Sequence, residues 1–275
     1  MYDVASIIDG ENAIKVLGQE NFTDNDVTYD QDTIIRGKGL DYDNANKRLF
    51  TNDGRTLIWD LSSGITDGMN ASWVLGQPDF DTYDNLTTVS GVWAAISNDV
   101  SYDSSNDYLY VGDQGNRRIL VYDIASITNG EDAINVIGQP DFTSNSDLGV
   151  TSKTFQGQVL AGGVSLIAFD YDSSNNRLFA IDNGVGRALV FDMSSGVTDY
   201  MAASWVLGQP DFTTENTGVD RNGFVVSEDL YYDAGTENLY TADATYTHRV
   251  LIFNLTQTPT STPDNGPTYV HPPQC

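Results

Sequence analysis

The chain has few of the residues on which cross-linked or metal-dependent proteins rely. Its only cysteine is Cys275, the last residue, so no disulfide can form within the chain. Its only histidines are His248 and His271, and a histidine-ligated zinc or iron centre needs two or three imidazoles. No apolar run approaches the ~18 residues of a membrane-spanning helix. The sequence therefore predicts no internal disulfide, no membrane span and no histidine-rich metal centre.

Basic residues are also scarce. The chain has 13 Lys and Arg against 39 Asp and Glu, a formal charge of −26. Nucleic acids and anionic membranes are poor partners for such a surface. A cation, a basic protein or an uncharged glycan suits it better, although acidity also serves simply to keep an exposed protein soluble.

One motif recurs along the chain. Trp-Val-Leu-Gly-Gln-Pro-Asp-Phe spans 205–212, with copies at 73–80 and 134–142 and a more divergent one at 14–22. Its glycines are Gly18, Gly76, Gly138 and Gly208, so the spacings are 76−18 = 58, 138−76 = 62 and 208−138 = 70. A long period of this kind, rich in β-branched and aromatic residues, indicates a repeat architecture.

Each unit contains four strand-like runs joined by polar turns, and the fourth is the Val-Leu-Gly-Gln element. Four short strands per unit predict antiparallel sheets arranged around an axis, an all-β propeller of four blades over residues 1–255. The first runs are 40–43, 100–103, 169–172 and 230–233. The second runs are 48–53, 108–113, 177–182 and 238–243. The third runs are 56–60, 119–123, 188–192 and 250–254.

The two ends of the repeat region complement one another. The last unit lacks a fourth run, whereas the chain begins with the end of a third run, Tyr2-Asp3, followed by an unmatched fourth run through 16–19. We expect this N-terminal strand to complete the last blade and to remove two exposed sheet edges. In the alternative, a neighbouring molecule supplies the strand and links subunits into a filament or ring.

The aligned units resemble the NHL-repeat family of propellers. The resemblance rests on the Tyr-Asp turns, the segment Leu109–Asp123 and the Gly-Gln that closes each unit. The units here are longer than is typical of that family, which is usually six-bladed, so the chain is either an unusual four-bladed ring with long loops or a piece of a larger one. The family includes interaction scaffolds and metal-dependent lyases, so the resemblance alone does not choose between binding and catalysis.

An aspartate ends every second strand and an arginine opens every third. Recurrence in all four units favours structural ion pairs that hold the loops, since a catalytic site is asymmetric. A ring of the four aspartates around a metal on the axis is the alternative. The pairs are Asp53 with Arg55, Asp113 with Arg118, Asp182 with Arg187, and Asp243 with Arg249.

Two short stretches contain fragments of calcium-loop chemistry. Asp41 and Asp43, and likewise Asp170 and Asp172, alternate and precede an asparagine, and hard cations bind clustered oxygens. Both stretches lack the glycine and the downstream glutamate of an EF-hand loop, so ordinary Asx turns are the simpler interpretation. No cofactor is expected, with calcium as the exception to test.

Long, unequal connections join the units on one side of the predicted ring, where binding commonly resides on a rigid scaffold. Seven side chains there could anchor a partner, although the aromatic ones could equally pack inward: Tyr83, Trp93, Phe155, Arg221, Phe224, Tyr246 and His248. Four Asn-x-Ser/Thr sequons favour an extracellular or cell-surface glycoprotein: Asn21, Asn70, Asn85 and Asn254.

The sequence therefore predicts a non-catalytic module that binds a protein or a glycan through these loops. A Pro/Thr-rich tail, 256–275, is expected to act as a tether. Two alternatives remain open. One is a structural subunit that assembles with itself by strand donation, and the other is a calcium-dependent lyase or lactonase-like enzyme.

Overall fold

The computed structural model describes residues 9–93, 99–156, 159–160, 163–164, 168–215, 223, 227–243 and 247–256. The predicted C-terminal tether lies outside the described residues, apart from Thr256. No helix among these residues is long and apolar enough to cross a membrane.

The chain folds as an all-β propeller of four antiparallel blades, as predicted. Strands follow one another in order within each blade, because short polar turns join neighbouring strands. Blade 1 contains β1 (Lys38–Asp43), β2 (Arg48–Asn52), β3 (Thr56–Asp60) and β4 (Trp73–Leu75). Blade 2 contains β5 (Val100–Asp103), β6 (Tyr108–Asp113), β7 (Arg118–Asp123) and β8 (Asn135–Ile137).

A short hairpin, β9 (Val159–Leu160) and β10 (Gly163–Val164), interrupts the connection between blades 2 and 3. Blade 3 contains β11 (Phe169–Asp172), β12 (Arg177–Asp182), β13 (Arg187–Asp192) and β14 (Trp205–Leu207). Blade 4 contains β15 (Ser227–Asp233), β16 (Asn238–Asp243) and β17 (Arg249–Asn254).

The turn between the first and second strands is specified by its side chains. In blade 1, Asp43 Oδ1 accepts hydrogen bonds from the amides of Ala45 and Asn46 at 2.9 and 3.1 Å, and Asn46 Nδ2 donates to Asp43 Oδ2 at 2.8 Å. Lys47 then takes φ 59°, the left-handed conformation that reverses the chain. Asp103 and Asp172 make the same set of bonds in blades 2 and 3.

Consecutive blades dock through one repeated contact. An aromatic ring on the second strand of one blade packs on a tyrosine of the first strand of the next, an arrangement that adds specific ring–ring attraction to apolar burial. Ring centroids lie 5.5, 5.2 and 5.0 Å apart in the pairs Phe50–Tyr102, Tyr110–Tyr171 and Phe179–Tyr232. The backbone amide of each of these tyrosines also donates to a side chain of the preceding blade: Asp41 Oδ2 at 2.6 Å, Ser101 Oγ at 3.1 Å and Asp170 Oδ2 at 2.8 Å.

The predicted closure of blade 4 by the N-terminal strand is not formed among the described residues. Blade 4 has three strands there, and Val250 and Ile252 on its edge strand are 62% and 60% exposed. The N-terminal run instead lies on blade 1, where Val16 accepts from the amide of Gly68 at 3.3 Å and donates to Asp67 Oδ1 at 3.1 Å. The segment therefore lies against blade 1 as the fourth strand of a preceding blade would, but β17 does not pair with it.

Candidate functional site

The long connections and the turns between second and third strands meet on one side of the propeller, which we call the loop face. Its described parts are residues 19–37, 77–93, 139–156 and 209–215, together with the turns that follow β2, β6, β12 and β16.

Buried arginines hold this face together from beneath. In blade 2, Arg118 Nε donates to Asp113 Oδ2 at 2.7 Å, and neither side chain is exposed to solvent. The same guanidinium donates to the carbonyls of Thr88, Gly91 and Phe142, which belong to two different connections. A planar group with five donors can satisfy several acceptors at once, so one arginine fixes both connections to the blade.

The other blades repeat this arrangement. Arg55 and Arg187 bond to Asp53 at 3.3 Å and to Asp182 at 2.9 Å, and both pairs are buried. Arg249 bonds to Asp243 at 3.1 Å, with the arginine side chain 25% exposed. Burial raises the pKa values of Asp53, Asp113 and Asp182, and the neighbouring guanidinium opposes that rise in each case. Each of the four aspartates thus forms an ion pair with the arginine that opens the next strand.

In the first two units, the recurring glutamine folds the loop that follows it onto the blade. Gln77 Nε2 donates to the carbonyl of Asp84 at 2.8 Å, and Gln77 Oε1 accepts from the amide of the same residue at 3.1 Å. Gln19 makes the same two bonds with Asp26, at 2.9 and 2.7 Å. A single side chain therefore closes the loop by imitating a paired β-strand.

Replacing the buried glutamine should loosen its loop. We expect Gln77→Leu to lower the free energy of unfolding by about 1–2 kcal/mol, because two backbone groups of Asp84 lose their partner. Gln19→Leu is the matched control, since Gln19 is half-buried and water can replace its bonds. Urea denaturation of both variants checks this. An equal loss in the two, or none in Gln77→Leu, would contradict the assigned role.

The predicted anchor residues are distributed unevenly. Phe155 is 1% exposed and packs against Phe191, so it belongs to the core and not to the surface of the loop face. Tyr83 stacks on Tyr29 with ring centroids 3.9 Å apart, and the half-buried Trp93 packs against Gly115. These three aromatic side chains therefore pack inward, the alternative that the sequence left open.

Of the remaining predicted anchors, one lies among the described residues. His248 is exposed and has φ 48°. Arg221, Phe224 and Tyr246 lie outside the described residues.

The exposed surface of the loop face is acidic. Within its described connections, Arg36 and the half-buried Lys153 are the only basic residues, and the turn after β6 adds the half-buried Arg117. Many of its aspartates cap turns, as Asp141 does by accepting from the amide of Thr143 at 2.8 Å. The exposed carboxylates are Glu20, Asp24, Asp26, Asp79, Asp81, Asp84, Asp141, Asp147, Asp211 and Glu215.

A cavity of about 930 Å³ occupies the axis, between the first strands of all four blades. Four carboxylates line it: Asp41, Asp99, Asp170 and Asp229. Burial raises the pKa of Asp99 to about 7 and that of Asp170 to about 6, and nearby carboxylates add to both shifts. Hydrogen bonds from the amides of Phe169 and Val100 to Asp99, at 3.0 and 2.9 Å, oppose the rise.

Sequence reasoning did not single out Asp99 or Asp229. The usable signal was positional, because Asp99 and Asp229 both stand four residues before the aspartate that ends the first strand. Among the described residues, no three His, Cys, Asp or Glu side chains are grouped as metal ligands would be. Of the calcium candidates, Asp43 and Asp172 bond within their own turns, and Asp41 and Asp170 bond the next blade.

The four sequon asparagines, Asn21, Asn70, Asn85 and Asn254, are all exposed. Each is therefore placed where a glycan could extend into solvent. Glycosylation of these asparagines stays a prediction.

No protein-family model matches the chain, and no curated protein matches it. Several solved structures are similar in fold. A protein of unknown function from Bacteroides thetaiotaomicron is 12% identical with a TM-score of 0.46, over 78% of this chain and 44% of that one. Sqt1 from Saccharomyces cerevisiae is 14% identical with a TM-score of 0.41, over 79% and 46%.

The β-propeller domain of Cps50 (Swd1) from Myceliophteria thermophila is 13% identical, with a TM-score of 0.35, over 76% of this chain and 62% of that one. The chain thus spans less than two thirds of each of these proteins. The four-blade assignment follows from the strand order of this chain, and the NHL resemblance stays a prediction.

Proposed function

We propose that this chain is a non-catalytic recognition module whose loop face binds a basic segment of a partner protein outside the cell. One observation carries the proposal. Ten exposed carboxylates stand on connections that buried arginines and glutamines fix to the blades. A surface held rigid before binding loses little conformational entropy on association.

Charge complementarity selects the partner. Exposed acidic groups on one face steer a cationic partner and repel an anionic one. A lysine- or arginine-rich protein segment meets this requirement better than an uncharged glycan, for which the excess of carboxylates offers no advantage. The exposed sequons support the extracellular part of the proposal.

The test uses a lysine-rich peptide titrated into the full chain and followed by calorimetry at low and high salt. We expect Asp81→Asn with Asp84→Asn to weaken binding roughly fivefold, at about 0.5 kcal/mol for each charge. Both side chains are exposed. The matched control removes two exposed charges from the edge away from the loops, Asp123→Asn with Asp132→Asn.

Equal weakening by both double variants would show that only the net charge matters and would overturn a loop-face site. Binding that does not respond to salt would contradict a basic partner. Tight, salt-independent binding of a neutral oligosaccharide that both variants retain would assign the face to glycans instead.

A further inference from the structure

The propeller has an open seam between blade 4 and blade 1. On the blade 1 side, Leu40 is 71% and Tyr42 is 42% exposed. On the blade 4 side, Tyr231, Val250 and Ile252 are 60–63% exposed. Large apolar side chains grouped on two sheet faces, beside an unpaired edge strand, indicate a surface that another sheet covers.

The linkers of the odd-numbered blades, 1 and 3, differ in length and sequence from the linker of blade 2. This difference shows to which kind of blade the N-terminal segment belongs. The linker from the third-strand end to the Phe of Pro-Asp-Phe spans 59–80 in blade 1 and 191–212 in blade 3. These two linkers are equally long, and most of their aligned positions are identical. The blade 2 linker, 122–142, is one position shorter, and the N-terminal segment 2–22 matches it in length and at most positions. The N-terminal segment is therefore the closing strand of an even blade, and blade 4 is an even blade without one.

The exposed faces of blades 4 and 1 carry residues at the same positions as those that form the contact between blades 2 and 3. Tyr240 stands where Tyr110 stands in blade 2, and Tyr42 stands where Tyr171 stands in blade 3. Asp229 accepts from the amide of Leu230 at 2.9 Å, as Asp99 does from Val100. The second oxygen of Asp99 accepts from the amide of Phe169 in blade 3. Leu40 is the residue of blade 1 that corresponds to Phe169, so its amide is the matching donor for Asp229.

The N-terminal segment carries a second unmatched contact. At three places, a left-handed residue in a linker donates its amide to the fourth strand on the preceding side: Gly68 to Val16 of the N-terminal strand, Gly130 to Val74 and Tyr200 to Val136. The interface between blades 3 and 4 has no such bond among the described residues, so Val206 of blade 3 is the unmatched acceptor. The counterpart in the N-terminal segment is Gly10. It has φ 73°, and no atom lies within 4 Å of the position of its absent Cβ, whereas Gly68 and Gly130 face backbone at 2.9 Å. Val206 of blade 3 corresponds to Val74 and Val136. Gly10 therefore has the conformation in which its amide could donate to the carbonyl of Val206, but this bond is not formed.

The arrangement of the four blades indicates whether the seam closes within one chain or needs a blade from another molecule. Three equivalent interfaces connect the four blades, yet the fourth pair of faces stays exposed. If each interface turned the chain by a quarter of a circle, the fourth would form as a consequence of the other three. The three turns together therefore fall short of closing the ring, and the four blades leave a gap.

We infer that a second copy of this chain covers the seam. Blade 4 of one copy packs on blade 1 of the other, and the N-terminal strand of the second copy pairs with β17. By the register of the other blades, Leu17 pairs with Val250, Val16 with Leu251, and Lys15 with Ile252. Two copies joined through both seams form one closed ring.

The first measurement is the mass in solution by light scattering. We expect twice the 30.0 kDa of one chain. Ile252→Lys combined with Leu40→Arg should return the mass to that of one chain, since both side chains are exposed within a copy and the monomer can fold without them. Ile134→Lys is the control, because Ile134 is 41% exposed but lies in blade 2 away from the seam.

The second measurement separates a partner copy from self-closure. Lys15→Cys and Ile252→Cys are made in separate chains, both with Cys275→Ser, and are mixed under mild oxidation. Paired strands bring the two Cα atoms within disulfide range, so a cross-linked dimer supports the inference, as does a larger assembly held by the same bond. A one-chain mass at every concentration overturns it, and so does a chain with both cysteines that cross-links only to itself.

Discussion

Arg118→Met lowers the free energy of unfolding by about 3–5 kcal/mol, the largest single-residue effect that we expect. The substitution keeps most of the apolar volume but leaves the carboxylate of Asp113 buried without its cation. It also removes the donors for the carbonyls of Thr88, Gly91 and Phe142. Chemical denaturation at pH 7 gives the measurement.

Arg249→Met is the matched control for this prediction. Arg249 occupies the same position in blade 4, but its side chain is 25% exposed and covers the buried Asp243, so its removal opens a path for water to the carboxylate. We expect a loss of about 1–2 kcal/mol. If the two variants lose the same amount, burial of the pair is not what makes Arg118 important.

The Arg118→Met variant should also become sensitive to pH. Burial raises the pKa of Asp113, and Arg118 opposes that rise. Without the arginine, the folded state holds a proton on Asp113 at pH values where the unfolded chain has released it. The loss of unfolding free energy relative to the unmodified chain should therefore become smaller from pH 8 to pH 5, because protonation removes the unpaired charge.

In the unmodified chain, stability should fall as the pH rises from about 4 to about 7. The folded-state pKa of Asp99 is raised to about 7 by burial in the axial cavity, whereas an unfolded aspartate titrates near 3.9. Between these two pKa values, the folded state therefore holds a proton that the unfolded chain has released. The stabilisation from this proton is complete below the pKa of the unfolded state and is lost as the pH rises to the pKa of the folded state. The slope from this one group is at most about 1.4 kcal/mol per pH unit.

Thermal unfolding at pH 5, 6, 7 and 8 measures this slope. Asp99→Asn should flatten it, although the amide also loses one of the two backbone bonds and lowers stability at every pH. Asp84→Asn removes an equal but exposed charge and should leave the slope unchanged. Equal slopes in all three proteins would show that general charge repulsion, and not the axial carboxylate, sets the pH dependence.

The strand pattern could be predicted from sequence because each element repeats its own local chemistry. The Tyr-Asp turns and the Arg-led third strands mark the same positions in every blade, and β6, β12 and β16 have the predicted bounds. The fourth strands are shorter than predicted, since they end before the glycine of Gly-Gln. Gly76 and Gly138 have φ 80° and 98°, which takes the chain out of the strand.

The axial carboxylates and the open seam were harder to predict, because both depend on how whole blades are oriented. The sequence shows that Asp99 begins a first strand, but only the packing of four first strands places it beside a cavity. Pairing of the N-terminal strand was predicted from complementarity alone. Complementarity says which strand fits blade 4 and leaves open which molecule provides it.

The alternation of odd and even blades constrains how this protein could grow or shrink during evolution. Arg48 and Arg177, both in odd blades, donate to the hydroxyls of Tyr102 and Tyr232 in the even blades that follow, at 3.3 and 2.9 Å. Arg48 also pairs with Asp107 of the even blade, and this position is acidic in both even blades, Asp107 and Glu237, but Lys47 and Asn176 in the odd ones. Gain or loss of a single blade would bring two blades of the same kind together and could place an arginine beside Lys47 or Asn176 instead of a carboxylate. Duplication of a two-blade unit preserves every junction, so homologues of different length should differ by even numbers of blades.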